Sequence, residues 1–184
     1  MNVRAPYALL VSAATVTFLA DVLTKLWAVT VLEIDGREAI EIVRGNLDLV
    51  MARNPGAAFS FMRDAPEWVR RPLFIGVSVL AIVFITGAYR RLDADRTAAR
   101  WGFSLVLGGA LGNLVDRIRD ASVVDFIQLH VRLGAGGREL HWPTFNVADV
   151  AICAGVALLA VDLFRGHRGA ARPAHAHSRP PSLS

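Results

Sequence analysis

Two aspartates lie in short apolar settings with no cation beside them: Asp125 in VVDF (123–126) and Asp149 in FNVAD (145–149). If a fold brings two carboxyl groups together they cannot both ionise easily, so one proton is shared and one pKa rises. Such a pair can activate water, one group acting as base and the other as acid. A third carboxylate, Asp116, stands near the end of GGALGNLVDRI (108–118), an apolar segment that finishes on Asn113, Asp116 and Arg117. Asp116 is the weaker candidate for the shared proton, because the adjacent Arg117 favours its ionised form. Residue types and spacing alone leave the choice among the three open.

Other chemistries are poorly represented. The chain has no HExxH zinc motif and no GxSxG nucleophile elbow. Ser60 and Ser104 have no evident His partner. GGALGN sits within a hydrophobic segment rather than between a strand and a helix, so it is no phosphate cradle. Cys153 is the single cysteine, which excludes an intramolecular disulfide, and with no His nearby it reads as a packing residue. His175 and His177 fall far short of a metal site. No cofactor and no metal are expected.

The elements that must position these groups are membrane helices. The chain has 184 residues, 54% of them apolar, and a mean hydropathy of +0.42. A bilayer crossing takes about 20 apolar residues. Four segments approach or exceed that: 8–32, 73–89, 97–115 and 145–164. Trp27, Trp68, Trp101 and Trp142 each lie near one end of a span, where indole rings settle at the headgroups. The first segment is longer than a signal-peptide core and continues past Asp21, so it reads as a retained helix.

Successive spans run in opposite directions, so the end of span one, the end of span three and the start of span four share one membrane face. That face collects Asp21, Lys25, Asn113, Asp116, Arg117, Asp125, Asn146 and Asp149. Ionisable groups inside a bilayer are costly and mark function or mutual pairing. Asp21 and Lys25 are four residues apart and can pair on one helix face. Gly108 and Gly112 have the spacing that lets another helix approach closely. Asp162, at the opposite end of span four, is expected to pair near Arg165 or snorkel.

A net charge of +4 could suggest nucleic acid, but in a polytopic protein it more often marks cytoplasmic loops. Residues 1–5, 90–100 and 165–184 hold nine Lys or Arg in 36 positions, whereas 33–71 and 116–144 hold ten in 68. Both termini are therefore expected in the cytoplasm, with the polar cluster near the outer face. Between spans one and two, IEIVRGNLDLV (40–50) alternates about a Gly-Asn turn and suggests a hairpin. ARNPGAAFS (52–60) is too rich in Gly, Ala and Pro to read as a strand. DAPEWVRRP (64–72) reads as a short amphipathic or interfacial stretch leading into span two. VVDFIQLHV (123–131) suggests another strand, with a long Gly-rich loop from 130 to 142. Residues 166–184 cannot bury a core and read as a disordered cytoplasmic tail.

DVLTK (21–25), RNPGAAFS (53–60), GGALGNLVDR (108–117), VVDF (123–126) and FNVAD (145–149), in that order, resemble lipoprotein signal peptidase, or signal peptidase II. The resemblance covers nearly all of residues 8 to 165. It implies a mainly α, polytopic fold of four transmembrane helices with a small extracytoplasmic β-sheet and a short interfacial helix, formed by residues 1–165 as one domain. It implies an intramembrane aspartic endopeptidase that cuts before the diacylglyceryl-modified cysteine of bacterial prolipoproteins. Carried over by motif, the catalytic pair falls on Asp125 and Asp149. The supporting positions fall on Asp21, Lys25, Asn54, Gly56, Asn113, Asp116, Arg117, Asn146 and Ala148. Pro55 stands where the family often has Thr and should hold Asn54 extended. The expected partners are prolipoproteins and membrane lipid, with no nucleic acid and no second subunit. The rival readings are an ion-coupled transporter, whose site would more often lie at the bilayer midplane, and a scaffold, which would tolerate loss of either aspartate.

Overall fold

The computed structural model describes residues 6–37, 39–56, 62, 65–133 and 138–170, with side chains described outside 131–141 and 166–170. Helix α1 (Tyr7–Ala28) starts at Pro6, whose extended backbone (φ −69°, ψ 141°) opens the first turn, and continues into a π-helical turn, Val29–Ile34. Its buried residues are Leu10, Ala14, Thr17, Asp21, Lys25 and Ala28. The steps of three and four place them on a single seam, so the polar pair extends the same face that packs above it.

Helix α2 (Glu67–Tyr89) is continuous through Pro72. Residues 67–72 of the amphipathic stretch are thus its opening turns. Helix α3 (Thr97–Asp120) is central, packing against α1, α2 and α4 (Val147–Ala170). Three helical segments, Tyr7–Ile34, Glu67–Tyr89 and Val147–Arg165, are apolar and long enough to cross a membrane. α3 has 24 residues, or roughly 36 Å of helix, long enough for a hydrocarbon core of about 30 Å. Its polar residues and glycines dilute its hydropathy, and its neighbours shield them from lipid. The outward faces of the other helices are apolar and exposed, as at Val16, Leu23, Leu80, Phe84 and Phe164. All four Trp side chains are exposed too, which suits interfacial anchors better than core packing.

The sheet is antiparallel, in the order β1 (Ala39–Val43), β2 (Leu47–Asn54), β3 (Val123–Leu133), β4 (Arg138–His141). The expected hairpin is β1–β2, where Gly45 (φ +69°) takes the left-handed position and Asn46 N–H bonds to Val43 O at 2.8 Å. β2 runs further than expected, through Ala52–Asn54, the start of the Gly, Ala and Pro stretch. The rest of that stretch, 57–60, lies outside the described residues. The segment expected as a long loop, 130–142, is instead largely a second antiparallel strand pair, β3–β4; residues 134–137 between them lie outside the described residues. α4 continues to Ala170, so the expected tail begins as helix; residues 171–184 are not among those described.

Two apolar clusters close the ends of the bundle. Ala28, Leu32 and Phe126 pack with Ile40, Leu49, Met51, Ile127 and Val147 beneath the sheet. Leu10, Tyr89, Leu92 and Ala99 pack with Phe103, Leu107 and Leu159 at the far end.

Candidate active site

The sheet and α4 are joined where the site lies. Phe145 O accepts N–H bonds from Phe126 (3.1 Å) and Ile127 (2.9 Å), and Phe145 N–H returns one to Ile127 O at 3.0 Å. This pairing lays the start of α4 along β3, immediately beside Asp125. A bulge in β2 between Leu49 and Ala52 sets Ala52 opposite Asp125 and Asn54 opposite Val123. Asn54 thereby reaches the same carboxyl group.

Asn146 is the N-cap of α4 and Asp149 its third residue, and the two form a reciprocal capping box. Asp149 N–H donates to Asn146 Oδ1 at 2.9 Å, while Asn146 N–H donates to Asp149 Oδ2 at 3.3 Å. The Asn146 amide nitrogen turns the other way and donates to Asp125 Oδ1 at 2.7 Å. It also lies 3.2 Å from Val124 O and 3.1 Å from Asn113 Oδ1. A single residue therefore touches both aspartates. Asp149 Oδ1 accepts from Asn113 Nδ2 (2.9 Å), and Asp125 Oδ2 accepts from Asn54 Nδ2 (3.0 Å). The Asn54 amide is itself oriented, because its Oδ1 accepts the Gly56 N–H at 3.1 Å across Pro55.

Below this pair lies a buried ionic cluster. Lys25 Nζ lies 2.7 Å from Asp21 Oδ2, 2.8 Å from Asp116 Oδ2 and 2.8 Å from Asn113 Oδ1. Three oxygens match the three donors of the ammonium, which satisfies a charge that burial would otherwise make costly. Asp21 Oδ1 accepts the Ala148 N–H at 2.8 Å, placing a carboxylate on the positive end of α4. Asp116 Oδ2 also accepts the Val124 N–H at 3.2 Å, tying the end of α3 to β3. Asp116 is thus engaged by Lys25 and by the backbone amide next to Asp125. Arg117 points elsewhere. Its guanidinium stacks over Phe74 of α2 at 5.4 Å and bonds to Asn113 O at 3.3 Å, with the charges of Asp149, Asp125 and Asp116 acting on it.

All eleven residues singled out from the sequence thus fall in one connected cluster. One contribution was missed: Phe74 shapes the site through a contact between distant segments, and no local signal marks it. For Gly112, read only as a helix-packing residue, and Phe145, read only as part of FNVAD, what they contact at the site was not legible. Gly112 is the sharpest case: a Cβ there would run into the Asp21 carboxylate. At the opposite end of α4, Asp162 pairs, one of its two expected outcomes, and its partner is Arg96 of the α2–α3 connection.

Asp125 is 1% exposed, whereas Asp149 is partly exposed. Burial, reinforced by the neighbouring charge of Asp149, raises the Asp125 pKa to about 7, against the opposing bonds from Asn54 and Asn146. Among the described residues, no group of three or more His, Cys, Asp or Glu side chains is disposed to hold a metal ion.

A family model described as signal peptidase (SPase) II matches residues 13–165. The chain is 41% identical over 161 residues to a lipoprotein signal peptidase of Syntrophotalea carbinolica, covering 88% of this chain and 94% of the relative. It is 44% identical over 131 residues to one of Geobacter sulfurreducens, covering 71% and 77%. Two solved structures of bacterial membrane enzymes share the fold. One has a TM-score of 0.74 at 21% identity, covering 100% of this chain and 99% of the other; the second has 0.70 at 23%, covering 90% and 98%.

Proposed function

The chain belongs to the signal peptidase II family and is a multi-pass peptidase of the bacterial inner membrane that removes signal peptides from prolipoproteins, and we propose that it does so as an aspartic endopeptidase through Asp125 and Asp149. The observation that carries this reading is the Asn146 bridge, which hydrogen-bonds one carboxyl group through its amide and the other through its backbone. Charge supports it as well. Among the described residues, Asp21, Asp116, Asp125 and Asp149 lie against Lys25 and Arg117, while the more distant Arg53 is held by Glu33 and Asp120, leaving −2 in the cluster if all ionise. One shared proton halves that excess, and buried, desolvated Asp125 is its better seat.

In the proposed cycle the substrate's diacylglyceryl chains lie in lipid and its signal helix lies among the spans. The bond before the modified cysteine meets a water held between the two aspartates. Asp149 takes a proton from that water as its oxygen attacks the carbonyl carbon, and Asp125 gives its proton to the carbonyl oxygen. The resulting gem-diol collapses as the C–N bond breaks. The leaving amine takes the proton from Asp149, and Asp125 recovers one from a diol hydroxyl. Asn113 and Asn146 hold Asp149 in place, Asn54 and Asn146 hold Asp125, and Lys25 with Asp21 and Asp116 fixes the floor. Residues 1–165 act as one membrane-embedded domain, as a monomer, with the site towards the outer face.

The test is cleavage of a purified diacylglyceryl-modified prolipoprotein in detergent by wild type, Asp125→Asn and Asp149→Asn, each checked for wild-type folding. Both variants should lose at least about a hundredfold in rate, and a chelator should leave the wild type unchanged. Cleavage retained by either folded variant removes that aspartate from the mechanism and returns Asp116 as the candidate.

A further inference from the structure

The end of the bundle remote from the dyad carries a second feature. Both α2 and α4 pack against α3, and between them a groove of about 860 Å³ opens over α3. Its walls are Val83, Phe84, Phe103, Leu159 and Leu163, and Gly87 leaves a gap in the α2 wall, where an added Cβ would meet nothing within 4 Å. The lining changes in one direction. It is apolar towards the bundle centre and ends on Arg91, Arg96 and Asp162 at the far face. Asp162 is paired with Arg96, whereas the Arg91 side chain, among the described residues, has no hydrogen bond or ion pair. At the mouth the lining holds two arginines, Arg91 and Arg96, against one carboxylate, Asp162.

We propose that this groove binds one anionic phospholipid, with an acyl chain between α2 and α4 and the headgroup phosphate on Arg91. Three observations commit it to a lipid rather than to a helix or a soluble anion. The groove lies among membrane helices, so hydrocarbon is what surrounds it. From Val83 to the end of α2 it extends roughly 10 Å, enough for part of an acyl chain. Its unpaired cation lies at the end where headgroups lie, and basic pockets between helices on a cytoplasmic face suit anionic headgroups.

Purified protein in neutral detergent should be titrated with phosphatidylglycerol, phosphatidylcholine of the same chains, and soluble glycerol phosphate, following the melting temperature and bound lipid by native mass spectrometry. Phosphatidylglycerol should bind about fivefold more tightly than phosphatidylcholine, and Arg91→Gln should erase that preference. Gly87→Leu should weaken both lipids by filling the groove. It adds a good helix former where nothing obstructs it, so the fold should survive. Equal binding of the two lipids by wild type, or a preference that persists in Arg91→Gln, would overturn the proposal. So would glycerol phosphate reproducing the full effect of the lipid, since the groove would then have no part in it.

Discussion

A carboxyl group with a raised pKa links stability to pH, and at Asp125 the sign is definite. An Asp that titrates near 3.8 when unfolded and near 7 when folded binds more protons in the folded state between those values. Its contribution to stability is therefore fully present below about pH 4 and is lost as pH rises towards 7. The loss is on the order of 4 kcal/mol. Asp125→Asn cannot titrate. Its melting temperature relative to wild type should rise between pH 5 and pH 8, whatever the offset from altered hydrogen bonds. In an Asp149→Asn background the same comparison should give a smaller slope, since the Asp149 charge that adds to the effect of burial on the pKa is gone. A difference that does not change with pH would mean that Asp125 is ionised throughout and could not serve as the acid. That Asp125 and Asp149 stand apart from adjacent cations was visible in the sequence. Which atoms hold them was not, because Asn54, Asn113 and Asn146 reach them from three different elements.

At the scale of elements, the legible parts were those with strong local patterns. The β1–β2 hairpin follows from alternation about Gly45-Asn46, and β3 from alternation through VVDFIQLHV. β4 was missed because RELH is only four residues long, beside the Gly-rich sequence 134–137, and its pairing is decided by β3 rather than by its own sequence. The glycines of α3 were legible as packing residues, but not how unequal the glycines of the bundle are. A Cβ on Gly112 collides with the carboxylate that caps α4, whereas one on Gly87 of α2 enters open space. Gly112→Ala should therefore displace Asp21 from both Lys25 and Ala148, destabilising the fold by about 1–3 kcal/mol and depressing cleavage. Gly87→Ala should be neutral, or stabilising by up to about 1 kcal/mol. Thermal melts of the two variants beside wild type would show it, and similar melting temperatures for both would remove Gly112 from its assigned place against Asp21.

The whole molecule is polarised along the bundle axis. The sheet, the capping box and the Lys25 cluster occupy one end, and the arginine-rich α2–α3 connection occupies the other. The polar cluster does not decide which end faces the cytoplasm, since it would assemble equally well in either orientation. The basic residues do, because Lys and Arg flanking short loops resist translocation, and 90–100 alone carries four arginines in 11 positions. The sheet end should then face outwards, where a lipid-anchored precursor emerges from the membrane. Cysteine accessibility reads this directly. In a Cys153→Ala background, a cysteine at Arg44 in the exposed β1–β2 turn should react with a membrane-impermeant maleimide on intact, outer-membrane-permeabilised cells. A cysteine at Asp95 in the opposite connection should react only after the inner membrane is opened. The reverse labelling pattern would place the dyad at the cytoplasmic face. Cleavage would then have to precede export of the mature domain, and the headgroup proposed for Arg91 would belong to the outer leaflet.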